Sequence, residues 1–383
     1  MSIIEAIFLV VLQPIFWLGF LLVAGIHFKR VKSERSHYHV AINRDFYEGR
    51  HYLKNGILFS VIGSAILIAI GVVFPLYWVL IYEATAFLVI LLELVWDVSL
   101  FFLLVTCLLP ISIQAIRTLA PQLLSTQIDK IVPRDFNSAS FMLLCTLFFL
   151  FRWLMIRRFS PEFLVPQVRQ GKRGRKLVSY TWKEFSVVPL IVLVPGSFSQ
   201  ELVPFWPLIT FNGKHYAFLV LPLVLSGFVR IWRSSIRTGA ANESLQAFRL
   251  FSFCLCGFIV TVFLPQTAAV FFAVLVLLVI LRFIQRYAKM KKKGKWYVET
   301  YDGVRVIAIQ PNTPAAKMNL EPGDIILECN GKTIANENEF YMALKLVPTF
   351  CSLKVKTYEG ELKLTESAVF TDSPHELGLI LFH

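Results

Sequence analysis

Runs of nearly twenty consecutive apolar residues recur from the N-terminus to about residue 281, and they decide what this chain can fold into. A run of that length matches the ~20 residues of helix needed to cross a bilayer. Lipid offers no partners to backbone N–H and C=O groups, so a spanning segment must be a helix or part of a closed barrel. The runs here are continuous and lack the alternation of a barrel strand, so they predict helices. The candidate spans are 4–26, 56–74, 76–92, 94–109, 138–156, 186–204 and 216–231, with 250–281 divided at Pro265. That makes nine; the abutting pairs within 76–109 and around Pro265 set the range at about seven to nine. Composition agrees, with 16% charged residues where a soluble domain has about 25%. Pro14 falls inside the first run and reads as a tolerated kink. No basic residue precedes that run and no small-residue cleavage site follows it, so it does not read as a removable signal peptide.

Charge predicts orientation. Lys29, Arg30, Lys32, Arg35, Arg44, Arg50 and Lys54 crowd the first loop, and residues 157–185 carry the run Lys172-Arg173-Gly174-Arg175-Lys176. A third basic stretch covers 230–249, and a fourth covers 282–296 with Lys291, Lys292 and Lys293. Excess Lys/Arg in short loops marks the cytoplasmic side. With nine spans and an outside N-terminus, all four stretches share that side and the C-terminal residues are cytoplasmic. The net charge of +13 is therefore a topology signal and does not point to nucleic acid. Two patches, Lys172/Arg173/Arg175/Lys176 and Lys291/Lys292/Lys293, are candidate contacts for anionic lipid or a partner. Residues 297–383 hold 12 Asp/Glu and 7 Lys/Arg, a balance of −5 that favours a basic partner.

The residue types that membrane enzymes need are missing from the sequence pattern. A zinc protease of the membrane requires His-Glu-x-x-His on a helix. The seven histidines, His27, His37, His39, His51, His215, His375 and His383, include no such pair and none lies mid-span. Gly196-Ser-Phe-Ser199 has no neighbouring base. Cys107, Cys145, Cys254 and Cys256 lie in apolar runs, and Cys329 and Cys351 lie in the C-terminal part, so neither a disulfide framework nor a metal or cofactor site is expected. Of the acids near spans, Glu93 and Asp97 read as a solvated turn and Glu201 as a span end; Glu83 alone reads as embedded. One embedded acid is thin support for a transport path.

The C-terminal part carries the most specific pattern. Residues 296–300 alternate like a strand, and Asp302-Gly303 is a turn signal. Thr313 and Pro314 fit the cap and first position of a short helix. Glu321-Pro-Gly-Asp324 turns into the strand Ile325–Cys329, and Asn330-Gly331 makes a tight hairpin. Asn336 or Asn338 caps a second helix whose Phe340, Ala343, Leu344 and Val347 share a face. The series Pro311-Asn-Thr-Pro-Ala-Ala, Leu320-Glu-Pro-Gly-Asp-Ile-Ile326, Asn330-Gly-Lys332 resembles the bacterial PDZ pattern. That resemblance implies a peptide groove that works by strand addition, with one wall from the second helix (Phe340, Leu344). It also implies a carboxylate loop at Leu377-Gly378-Leu379, with 294–298 as a competing placement.

The expected organisation is thus a polytopic α-helical membrane protein with a C-terminal cytoplasmic mixed α/β PDZ domain. Residues 1–285 form the multi-span part, 286–296 a basic juxtamembrane linker and 297–383 the PDZ domain. With Gln13-Pro14 in the first run and Phe28-Lys-Arg-Val-Lys-Ser-Glu-Arg35 after it, the whole chain resembles the polytopic PDZ proteins of Gram-positive bacteria typified by MinJ. The resemblance implies a non-enzymatic adaptor in division-site selection at septa and poles of the cell membrane. It would bridge a DivIVA-like polar scaffold, a MinD-like ATPase and other division proteins. The alternatives are a PDZ-containing regulator of a membrane protease or signalling complex, and a transporter.

Overall fold

The computed structural model describes residues 13–93, 98–119, 137–170, 176–196, 208–211, 214–232, 234–291, 297–298, 300, 302–357, 360–368 and 377–382. Seven helices among them are long and apolar enough to cross a membrane. They are α1 (Pro14–Tyr38), α2 (Tyr47–Ile70), α3 (Leu76–Glu93), α4 (Ser99–Leu119), α5 (Ala139–Arg157), α6 (Ile236–Phe263) and α7 (Ala268–Lys291). Pro14 opens α1 with Gln13 at its cap, so it starts the described helix where a mid-span kink was expected. Proline suits that position because the missing N–H has no helical partner there. The break between α6 and α7 falls at Pro265 as expected. Glu93 is fully buried where the sequence reads as a solvated turn. Its carboxylate accepts from the backbone N–H groups of Val98 (2.9 Å) and Ser99 (3.2 Å) at the start of α4. Lys183 Nζ lies 3.5 Å away. Asp97 and Glu201 lie outside the described residues.

The described residues of the two remaining predicted spans, 186–196 and 216–231, are not α-helical. They contribute to β2 (Lys176–Pro195) and β4 (Lys214–Ile231), which pair antiparallel from Tyr180↔Ile231 to Pro195↔Tyr216. The short strands β1 (Val165–Gln170) and β3 (Leu208–Phe211) flank them in the order β1-β2-β4-β3. β2 runs along the whole of α2: His51 Nδ1 meets Glu184 Oε1 at 2.6 Å, and Phe74 N donates to Leu193 O at 2.9 Å. Nine strand residues cover roughly 30 Å, about the length of a bilayer core. Unpaired strand edges at such a depth need partners within the protein. The helices and the segments flanking them supply partners in a period of two. On β2, Pro189 O accepts from Ser60 Oγ, Ile191 N donates to Ser64 Oγ (2.8 Å), and Leu193 O takes Phe74 N. On β4, Val220 O accepts from Gln13 Nε2 (3.1 Å) and Val224 N donates to Tyr82 Oη (3.4 Å). Ser226 O and Phe228 O accept from the guanidinium groups of Arg152 (2.6 Å) and Arg286 (3.3 Å). Pro189 and Pro222 face each other in this ladder. A proline is tolerated in a strand whose other side has no neighbour needing its N–H.

Helix α2 can lie close on β2 where its buried residues are small, at Gly56, Ser60, Gly63 and Ser64. A Cβ at position 63 would stand 2.5 Å from Leu190 Cδ2 and 3.2 Å from Phe151 Cζ. Gly63→Leu is therefore expected to cost about 1–3 kcal/mol by overpacking. The check is a lowered unfolding temperature in detergent beside an unchanged Gly25→Leu control, since Gly25 has no neighbour within 4 Å of that site.

The C-terminal part is an antiparallel sheet in the order β10-β5-β6-β8-β9, with β7 paired to β6. Its strands are β5 (Val304–Ile309), β6 (Ile325–Cys329), β7 (Lys332–Thr333), β8 (Phe350–Lys356), β9 (Leu362–Ala368) and β10 (Leu379–Leu381). Two helices cover it, α8 (Pro314–Lys317) and α9 (Glu337–Leu346). Asn330 (φ 50°) and Gly331 (φ 78°) make the β6–β7 turn with two left-handed residues, the signature of a tight hairpin. Asn336 caps α9: its Oδ1 accepts from Glu339 N (2.9 Å), and the Glu339 carboxylate accepts from Ala335 N (2.8 Å). The pair is a displaced form of the capping box, with the Glu339 carboxylate on the N–H one residue before the cap. Thr313 precedes Pro314 at α8, but its hydroxyl donates to Gln310 O (2.7 Å) and does not cap the helix. The core here is Val304, Val306, Ala315, Ile326, Phe340, Leu353, Leu377, Leu379 and their neighbours.

Candidate peptide-binding cleft

β10 is the last strand of its sheet, and one of its edges has no strand partner among the described residues. Which groups that edge presents follows from the ladder. Gln310 N donates to Gly378 O (2.8 Å) and Phe382 N donates to Arg305 O (3.3 Å), so the even residues face β5. Backbone groups alternate along a strand, so those of Leu379 and Leu381 point away from β5. They point to a cleft of about 1100 Å³ whose lining includes Leu379, Ile380, Leu381 and, on α9, Glu337 and Tyr341. That volume is slightly above the about 300–1000 Å³ of ordinary small-molecule pockets.

The sequence-derived groove residues fall on both sides of this edge. Gly378 has φ +83° and sits directly before β10, between Leu377, which is buried in the core, and Leu379, which starts the strand. Of the α9 residues, Phe340 is 1% exposed and points into the core, while Leu344 is half-buried against it. Glu337 and Tyr341 line the cleft instead. The cap at Asn336 could have found them, because it fixes Glu337 as the first helical residue and puts Tyr341 and Leu344 at i+4 and i+7 on the same stripe. In the competing region, residues 294–296 lie outside the described residues, and Val298 bridges to Leu177 of β2. Lys172, Arg173, Arg175, Lys292 and Lys293 also lie outside the described residues. Lys176 begins β2, and Lys291 ends α7, which runs on past residue 285.

The second wall of the cleft comes from the helical part. The α1–α2 loop supplies His39 to Asp45, and the turn at Pro161–Phe163 supplies Glu162 and Phe163. The sequence gives no sign of this wall, whose residues lie some 150 to 340 positions from those of the PDZ side. The two parts are fastened together. Val178 N donates to Tyr297 O (2.9 Å), and Tyr297 Oη donates to Ser234 O (3.2 Å). Gln310 Nε2 donates to Ala41 O (3.0 Å), and Arg237 pairs with Glu321. The β5–β10 register slips between Ile380 and Leu381, leaving Ile307 as the extra residue. Tyr180 Oη of β2 donates to the freed Ile307 carbonyl (2.8 Å). Burial pushes the Tyr180 hydroxyl well above its ordinary value, so it stays a proton donor. Burial also lowers Arg305, whose Nη1 donates to Gly323 O (3.0 Å).

Among the described residues no group of three or more His, Cys, Asp or Glu side chains could hold a metal ion. The chemistry within reach of the cleft is that of main-chain pairing plus exposed charge.

Seven membrane-length helices joined to this sheet define a polytopic helical membrane protein with a C-terminal PDZ domain. Residues 289–345 match the PDZ domain family profile. The chain is similar to the probable cell division topological determinant MinJ of Lacticaseibacillus paracasei, 31% identical over 233 residues, 58% of this chain and 60% of that one. The match thus spans about 60% of the length of that relative. It is also similar to the cell division topological determinant MinJ of Bacillus subtilis (strain 168), 24% identical over 380 residues, 96% of this chain and 92% of that one. Among solved structures, the PDZ domain of an SdrC-like protein from Listeria monocytogenes matches 21% of this chain and 90% of its own, with 25% identity and a TM-score of 0.19. The likeness to MinJ read from the sequence is therefore carried by curated relatives and by the PDZ match.

Proposed function

We propose that this protein is a membrane-anchored adaptor in division-site selection, acting by placement and without chemistry. The observation that carries this reading is the end-to-end likeness to a cell division topological determinant, which takes in the spans and the PDZ domain together. Both relatives carry a name for a division topological determinant, the first as a probable one. The finer expectation is that the protein bridges a DivIVA-like polar scaffold and a MinD-like ATPase. Confinement to a membrane raises the effective concentration of such partners, so weak contacts add up. In this reading Leu377, Gly378 and Leu379 shape the peptide site, and the basic patches around Lys172–Lys176 and Lys291–Lys293 meet lipid headgroups or partners.

The reading includes a topology with the PDZ domain in the cytoplasm. Two predicted spans are strands of one hairpin that leaves and returns on the same side, so the parity of crossings is unchanged. With the seven described membrane-length helices and that hairpin, this reading keeps the basic stretches at 28–54, 157–185, 230–249 and 282–296 on one side. We divide the chain accordingly into a spanning part, 1–285, a basic junction, 286–296, and the PDZ domain, 297–383.

A fluorescent fusion with and without residues 297–383, followed in dividing cells, tests the reading. Enrichment at septa and poles is expected for the full chain, with filaments or minicells when the PDZ domain is removed. Uniform membrane signal with normal division would sink the proposal.

A further inference from the structure

We infer that the peptide site is composite: a peptide strand added to β10 is held between the PDZ domain and the α1–α2 loop, with Arg44 of that loop reading a carboxylate on the ligand. The inference rests on the PDZ groove reading above and adds a specificity residue from outside the PDZ domain.

Three observations carry it. The first is the open edge itself. The outward N–H and C=O groups of Leu379 and Leu381 match the pattern of a polypeptide strand and of little else, which commits the occupant to an extended peptide. The second is the geometry of the loop. Residues 38–45 line the same cleft as Leu379 to Leu381, so a strand paired with β10 lies against them. The loop is held from both sides. Gln310 Nε2 takes Ala41 O, while Arg30 Nη1 donates to Asn43 O (2.8 Å) and Ile42 N donates to Glu34 Oε2 (2.8 Å). The third is charge. Arg50 is committed to Asp45 at 2.5 Å, whereas Arg44 is exposed in the cleft wall and forms no ion pair with the described residues. Glu162 shares the helical wall with Arg44 and Glu337 stands on the α9 wall, but neither forms an ion pair with Arg44, so the position for an anion is the one at Arg44 itself. A guanidinium prefers a carboxylate that it can grip with two parallel N–H groups.

A consequence is that peptide binding and PDZ docking are one equilibrium. A ligand that touches both walls favours the docked arrangement, and anything that loosens the loop weakens the ligand.

The test uses the full chain in lipid nanodiscs and a random heptapeptide library displayed with free C-termini. The best enriched peptide is then measured against the parent, Arg44→Glu, Arg44→Lys and Tyr341→Ser. Arg44 is exposed, so its variants are expected to fold as the parent does. The expected result is a loss of about tenfold or more for Arg44→Glu, a smaller loss for Arg44→Lys, and a loss for Tyr341→Ser. Enriched peptides should carry a carboxylate whose removal by amidation or Asn/Gln exchange abolishes the Arg44 effect. If Tyr341→Ser weakens binding while Arg44→Glu leaves it unchanged or tightens it, the groove reading stands and the composite site is wrong. If no peptide is enriched, both fall.

Discussion

Arg30→Met is expected to destabilise the end of the helical part that meets the PDZ domain by about 3–5 kcal/mol, the cost of leaving buried charges without their partner. Arg30 is 8% exposed, and its guanidinium is used on every side. Nε donates to Glu48 Oε1 at 2.5 Å and Nη1 to Glu34 Oε1 at 3.1 Å. Its remaining donors reach Asn43 O (2.8 Å) and Asp45 O (3.2 Å), and the group stacks 4.8 Å from the Tyr47 ring centroid. Methionine keeps much of the volume but takes the guanidinium from two buried carboxylates, leaving Glu34 with Ile42 N (2.8 Å) and Glu48 with His27 Nδ1 (3.2 Å). It also frees the loop at 39–46, because Asn43 and Asp45 lose their donors. Thermal unfolding in detergent should fall markedly, and hydrogen exchange at 39–46 should rise ahead of the global transition. Glu48→Gln on the parent should cost less, since it removes a charge without stranding one of opposite sign among the remaining acids. Combined with Arg30→Met, Glu48→Gln should recover part of the loss, a non-additivity that marks direct coupling. An additive pair would mean that the charges are solvated and the network is idle.

This network matters to the cleft. The loop that Arg30 shapes is the second wall of the proposed peptide site, so stability and recognition share residues there. The sequence shows Arg30 only as one of seven basic residues in a region read as a topology signal. Charge counting assigns such residues to solvent. Nothing in one dimension says that α1 continues to Tyr38 and buries this arginine against α2.

The same limit explains the hairpin. The runs at 187–194 and 217–225 are apolar throughout, because helices cover both faces of β2 and β4. A fully buried strand has no polar side to alternate with, so periodicity cannot separate it from a buried helix. The β-branched pairs Val187-Val188 and Ile191-Val192, with Pro189 and Pro222 inside the runs, were the available signals. Proline in mid-run disfavours a helix by about 3 kcal/mol. Run length and hydropathy alone do not register them. By contrast, the PDZ turns were legible because each depends on one local chemistry: Asn330-Gly331 on left-handed φ, Asn336 on a cap, Pro314 on a first helical position. The cleft was half legible. Its β10 side was written in a motif, while its loop side exists only through tertiary docking.

Gly378→Val is expected to unfold or loosen the PDZ domain, and this bears on how any binding loss at that position is understood. Two costs coincide there. The backbone is at φ +83°, a conformation that costs an L side chain about 1–2 kcal/mol. A Cβ would also fall on the Thr313 side chain, well inside contact distance, adding about 1–3 kcal/mol of overpacking. Thr313 has little room to yield, because it is buried and its hydroxyl is tied to Gln310 O. Gly378 O and Leu377 O in turn accept from Gln310 N (2.8 Å) and Ala315 N (3.0 Å), so a shift of the turn breaks the seam between β10 and α8. The sum is a large share of the about 5–15 kcal/mol that holds an ordinary domain. Gly360→Ala is the matched control. It has φ +92° but nothing within 4 Å of its Cβ position, so it should lose about 1–2 kcal/mol and keep the fold. Amide exchange across β5 and β10 should accelerate in Gly378→Val, remain near the parent in Gly360→Ala, and stay protected in α2 and β2 for both. Parent-like protection in Gly378→Val would show that the turn can re-form without its glycine. In that case, loss of peptide binding at this position could be credited to contact. Otherwise such a loss measures folding, and Arg44 and Tyr341 are the positions where recognition can be read.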